Sequence, residues 1–285
     1  MKKLKYGALF LALAVVFSGC SDLGSFFDYN LFTKLGVTTP AVTTTYPAAQ
    51  DQTVTQQQAT LDQLSEDLAS AAYLEGLKDS DAIDEVETYL TDLYTNSTSD
   101  EVKQEAAVLC ADLNLDTSGG TELVANVLTT LMDTSSSGGL SLDDSSDVTD
   151  LIDSLLPEEV ATAEDFSTLI QSLIDANAAY EALASTLDST TDTAEGMEDL
   201  GINMGDVAQK ALVSYVVSNI IGLWQGEGES TADAAENLWA YLQDPTDTDA
   251  QPTGDFSSIL SSTADGYAGI TTLFTVAGLS LDSYI

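Results

Sequence analysis

From Gln57 onward the apolar residues recur at three- and four-residue spacing, and no convincing stretch alternates apolar and polar positions as a half-buried strand would. This periodicity limits the chain to helices. Leu61, Leu64, Leu68, Ala71 and Ala72 predict one helix ending near Gly76. Ile83, Val86, Leu90 and Leu93 predict a second, closed by the polar turn 95–99. Thr98-x-x-Glu101 resembles a capping box for a third, whose stripe runs through Val102, Ala106, Leu109, Cys110 and Leu113. A fourth follows the Gly119-Gly120 break, and Leu151, Ile152, Leu155 and Leu156 predict a short helix stopped by Pro157. Thr162 and Asp165 are spaced to cap the longest one, carried by Phe166, Leu169, Leu173, Tyr180 and Leu187. The segment 211–224 is apolar almost all round, which suits a helix at the centre of a bundle. Ala235, Leu238, Trp239 and Leu242 predict the next helix, stopped by Pro245. Ile259, Leu260, Tyr267, Ile270 and Phe274 predict one or two more, weakened by Gly266 and Gly269.

The expectation is an all-α domain over 56–285, an antiparallel helical bundle or irregular α-hairpin array of about nine helices, with a weak boundary at 134–147. The arrangement is similar to helical-repeat lipoproteins in outline. The spacing of helix pairs drifts and no signature recurs with it, so no binding residue is carried across. The Thr-, Ala-, Pro- and Gln-rich segment 38–58 has little to bury and reads as an extended stalk.

The chain has 47 acidic residues against seven lysines, with no histidine and no arginine, for a net charge of −40. Beyond residue 20 four lysines remain: Lys34, Lys78, Lys103 and Lys210. Such a surface repels nucleic acid, whose binding rests on basic side chains neutralising phosphates. It also repels itself unless salt screens it, which points to halophilic or marine adaptation ahead of cation binding or a basic partner. Apolar residues make up 44% of the chain, enough to build a core.

Met1 to Cys20 carry a different message. Lys2, Lys3 and Lys5 precede a run of about a dozen mostly apolar residues, too short to cross a bilayer. Ser18-Gly19-Cys20 closes that run, with Phe17 standing where Leu is usual. The stretch resembles a bacterial lipoprotein signal. The resemblance implies removal of residues 1–19, acyl chains such as palmitate on Cys20, and attachment to the cell envelope. The domain would face the periplasm or exterior. Ser21, in place of the Asp that signals inner-membrane retention, favours the outer membrane. Residues 20–55 would be the lipidated cysteine and its tether. Phe26, Phe27, Tyr29 and Phe32 either lie in the membrane interface or fold back onto the domain. With Cys20 lipidated, Cys110 has no disulfide partner, and its place on an apolar stripe predicts a buried, inert thiol.

Without histidine the usual general base near neutral pH is missing, together with its nucleophile systems, and a zinc site lacks ligands. No phosphate-binding glycine loop is present. A carboxylate-pair enzyme remains conceivable, but the expectation is a non-enzymatic protein without a cofactor. Oxygen-ligand cation sites are the chemistry this composition permits. Three acidic loops are weak calcium candidates: Asp143, Asp144, Asp147 and Asp150; Asp188, Asp192, Glu195 and Asp199; and Asp244, Asp247, Asp249 and Asp255. Each set sits near a helix start, where acids also cap free amides. The functional expectation is a membrane-tethered interaction or envelope-structural module. The alternative is a solute-binding or transporter-associated lipoprotein, with a pocket near Trp224, Tyr215 and Trp239.

Overall fold

The structure, a computed structural model, describes residues 45–80, 82–137, 155–226, 228–244, 250–253 and 264–281. Among them it is all helical, with ten α-helices and no strand. These are α1 (Val54–Leu68), α2 (Ala71–Asp79), α3 (Ile83–Asn96), α4 (Asp100–Ser118) and α5 (Gly120–Ser137), then α6 (Ala163–Thr186), α7 (Ala194–Glu198), α8 (Met204–Gly222), α9 (Thr231–Gln243) and α10 (Tyr267–Val276).

The helices α4 and α6 form the axis of the molecule. The first packs against α1, α2, α3 and α5, the second against α8, α9 and α10, and the two share the most extensive contact of the fold. Small residues make the close approach possible: Ala106, Ala107 and Ala111 on α4 and Ala176 and Ala179 on α6 are fully buried. Leu113, Leu115, Leu169, Leu173 and Tyr180 fill the space around them. As its composition predicts, α8 is buried nearly all round, from Met204 to Ile221.

Local signals set most boundaries. Thr162 accepts the Asp165 amide and Asp165 reaches back to the Thr162 amide, the reciprocal cap its spacing predicts. Gly119, at φ +83°, turns the chain from α4 into α5, and a Cβ there would lie 3.3 Å from the Pro157 ring. At α4 the predicted cap is one residue early: Ser99, not Thr98, accepts the Val102 amide. The expected helix through Leu61 and Ala72 is two helices, broken at Ala69 and Ser70. The break turns the chain so that Tyr73, Leu74 and Leu77 are buried while Ala71 stays exposed. The short α7 had no apolar stripe to announce it; Thr193 caps it and Met197 is its buried anchor. The expected helix before Pro157 is described only from Leu155, which is buried, and residues 138–154 and 254–263 lie outside the described residues.

The domain also begins earlier than the stalk reading places it. Tyr46 stacks on Tyr89 of α3 with ring centroids 4.4 Å apart. A 3-10 turn, Ala49–Asp51, buries Ala49 and is tied down at both backbone groups. The Asp92 carboxylate accepts the Ala49 N–H at 2.6 Å, and Gln57 Nε2 donates to its carbonyl at 2.7 Å. Ser97 Oγ then donates to Gln57 Oε1, completing a buried polar chain between α1 and the end of α3. Composition alone reads 38–58 as an extended stalk because it has little to bury. A single alanine and one tyrosine ring nevertheless suffice when the backbone is hydrogen-bonded to its host.

Candidate functional site

A cleft of about 670 Å³ opens between α3, α4, α6 and α9. Its acids come from three helices: Asp84 and Glu87 from α3, Glu164 and Asp175 from α6, and Glu236 from α9. Between them lie the hydroxyls and amides of Asn114, Thr117, Ser118, Ser167, Thr168, Gln171 and Ser172, with Ile83 and Ala232 as the apolar lining. No lining residue is basic or aromatic.

Two of the acids are partly shielded from solvent. Glu87 and Asp175 are half-buried, and burial raises the carboxyls of both above their usual range; for Glu87 the nearby Asp175 and Asp84 charges push the same way. Each is held by an amide. Asn114 Nδ2 donates to Glu87 Oε1 at 3.3 Å, and Gln171 Nε2 donates to both oxygens of Asp175 at 3.0 and 3.1 Å. Asn114 is 5% exposed, and its Nδ2 also donates to the Cys110 carbonyl at 3.0 Å. Both partners are acceptors, so the amide orientation is determined. Its Oδ1 accepts no hydrogen bond among the described residues. Behind this wall Cys110 is buried as its stripe predicts, its thiol pushed up to about 12 by burial and by the Glu87 and Asp175 charges.

A second polar cluster joins α4 to α8. Lys210 Nζ lies 2.9 Å from Asp112 and 2.8 Å from Asp206, and its side chain is 16% exposed. Burial alone would lower its pKa, but the neighbouring Asp112, Tyr180 and Asp206 outweigh burial and hold the ammonium well above the lysine range. Asp116, one turn along α4, accepts from Thr121 Oγ1 at 2.5 Å, and burial raises its carboxyl. The cluster uses one of the chain's few cations to hold two helices together, and its acids are already matched.

The residues singled out in the sequence lie elsewhere. Cys20 and Asp143, Asp144, Asp147, Asp150, Asp247, Asp249 and Asp255 are outside the described residues. Asp244 is the C-cap of α9. In the 188–199 loop the acids serve their own turn: Asp188 accepts the Thr190 amide and hydroxyl, and Asp192 accepts the Asp188 amide at 2.7 Å. Among the described residues no group of three acidic or thiol side chains comes together in a way that could hold a metal ion. Trp224 and Tyr215 are packed into the core, the Trp224 indole donating to the Ala250 carbonyl, and Trp239 packs on Phe166. Trp224 and Tyr215 thus lie in the core and Trp239 is partly buried against it; none of the three, near which the sequence had pointed for a pocket, lines the cleft. No helix among the described residues is long and apolar enough to cross a membrane.

The cleft residues escaped the sequence reading because each looks like part of a solvated face. Gln171 and Asp175, or Asp84 and Glu87, are ordinary helical polar pairs until α3, α6 and α9 are brought face to face. Comparison with protein-family models, with curated proteins and with solved structures found no match.

Proposed function

We propose that the chain is a lipid-anchored protein of a bacterial envelope whose helical domain binds, without catalysis, a donor-rich solute or partner in the cleft between α3, α4, α6 and α9. The observation that carries this reading is the cleft. Its volume lies within the roughly 300–1,000 Å³ typical of small-molecule sites, and its polar groups converge from four helices of a packed scaffold. The engagement of Glu87 and Asp175 by amide donors favours binding over acid–base chemistry, because both carboxylates are held as acceptors. The anchor rests on Lys2, Lys3, Lys5 and Ser18-Gly19-Cys20. A protein held by two or more acyl chains stays on its membrane.

Two measurements test the reading. Cys20→Ser should move the protein from the membrane fraction to the soluble one and abolish fatty-acid labelling; unchanged labelling overturns the anchor. A thermal-shift screen of the full chain against neutral, anionic and cationic solutes should yield a ligand whose stabilisation is lost in Glu87→Gln and Asp175→Asn. A screen that stabilises nothing, or stabilises the variants equally, overturns the cleft as the site. In-cell crosslinking at native salt distinguishes an envelope partner from a freely diffusing solute.

A further inference from the structure

Every charged group in the cleft is negative, and the hydroxyls of Thr117, Ser118 and Thr168 already donate to backbone carbonyls. Five carboxylates are spread over α3, α6 and α9 around about 670 Å³, and no lysine lines the space. Among the described residues Lys103 lies beside Asp100, and Lys210 is held by Asp112 and Asp206. Asn114, 5% exposed in the wall of the cleft, adds a carbonyl that accepts no hydrogen bond among the described residues. Such a wall asks for a ligand that brings donors and positive charge together.

The lining narrows the class. A metal ion needs several oxygens converging on one point, and no such group forms among the described residues. Methylated ammonium ligands are recognised by aromatic cages, and no ring lines this cleft. Carboxylates carried on three different helices, with hydroxyls and the short apolar surfaces of Ile83 and Ala232 in the same lining, suit a ligand whose charges are separated by methylene links.

We propose that the cleft binds a linear polyamine, its ammonium groups distributed over Glu87, Asp175 and the rim acids Asp84, Glu164 and Glu236, with one N–H donated to the Asn114 carbonyl. This rests on the binding reading given above and names its ligand. The half-buried carboxylates Glu87 and Asp175 give the strongest charge-assisted contacts, while the rim acids are exposed and contribute mainly to encounter.

The test is calorimetric titration of the full chain with spermidine, hexaamminecobalt(III), magnesium and trilysine at fixed salt. Spermidine should bind one to one, about tenfold more tightly than the compact cobalt complex of equal charge, because only the linear cation can reach separated acids. Glu87→Gln and Asp175→Asn should each weaken it by about tenfold. Glu75→Gln and Glu101→Gln, which remove the same charge from exposed positions away from the cleft, should change it less than about twofold. Equal binding of the two trivalent cations, or equal loss in all four variants, would reduce the effect to bulk charge and overturn the proposal. Tighter binding of trilysine would assign the cleft to a basic peptide and overturn it as well. If spermidine fails while a neutral solute from the screen binds with the same cleft dependence, the polyamine falls and the binding site stands. If neither binds, both fall.

Discussion

Lys210 shows how much one side chain can matter in a chain this acidic. It brings Asp112 of α4 and Asp206 of α8 within 3 Å of a single ammonium, and Asp116 lies within reach of the same charges. Lys210→Met keeps the stem and removes the charge, leaving three carboxylates to repel one another. Because Asp206 is about half exposed, solvent screens part of the loss. The expected cost is about 1–2 kcal/mol, measured as a lower urea midpoint and diminished at high salt. Tyr180 makes the opposite case. Its hydroxyl is fully buried beside this cluster with no hydrogen-bond partner among the described residues. Tyr180→Phe should leave stability unchanged or raise it by up to about 1 kcal/mol. A loss larger than that would show that the hydroxyl is satisfied in solution.

At the scale of the element, termini are governed by a few atoms each. The reciprocal cap of Thr162 and Asp165 was legible in the sequence because it is local: both partners lie within one turn. The start of α10 was not. Gly266 sits there at φ +79°, and an added Cβ would fall 2.5 Å from Glu181 Oε1 of α6 and 3.2 Å from the Tyr215 ring of α8. The sequence marked this glycine as a weakness in a helix; the structure makes it the joint where α10 meets α6 and α8. Gly266→Ala should cost about 1–3 kcal/mol in a denaturation curve, combining left-handed backbone strain with a forced shift of Glu181. Gly201→Ala, also at positive φ but with open space around it, should cost less.

For the whole molecule, charge decides the response to solvent. Burial raises the folded-state carboxyls of Glu87, Glu105, Asp116 and Asp175. A group raised on folding stabilises fully below its unfolded value and loses that contribution as pH climbs through its folded value. Asp165, Asp188 and Asp233 run the other way, held low by hydroxyl and backbone donors, and their contribution fades as pH falls through their folded values. Those three are exposed, so the raised group dominates. Thermal midpoints should therefore rise as pH falls from neutrality toward the ordinary Glu and Asp values of 4.5 and 3.8, then decline below them. Added salt should raise the midpoint at neutral pH and do so less at pH 5, where fewer carboxylates are charged. A midpoint that falls steadily from pH 8 to pH 5 would contradict this account.

Helical periodicity, the Thr162 cap, the burial of Cys110 and the nearly all-round burial of 211–224 could all be read along the chain, although the axis of the molecule is α4 and α6 rather than that segment. Each depends on residues within a turn or two, or on the plain apolarity of a segment. The break at Ser70, the docking of Tyr46 and Ala49 on α3, and the short α7 could not be read that way. In each, a modest local preference yields to contacts made with another helix. The cleft belongs wholly to tertiary structure. Asp84, Glu87, Asn114, Gln171, Asp175 and Glu236 are spread over about 150 residues, each on a face that looks solvated by itself. Only the packing of small residues between α4 and α6, which draws α3 and α9 in beside them, turns those separate polar faces into one acidic cleft.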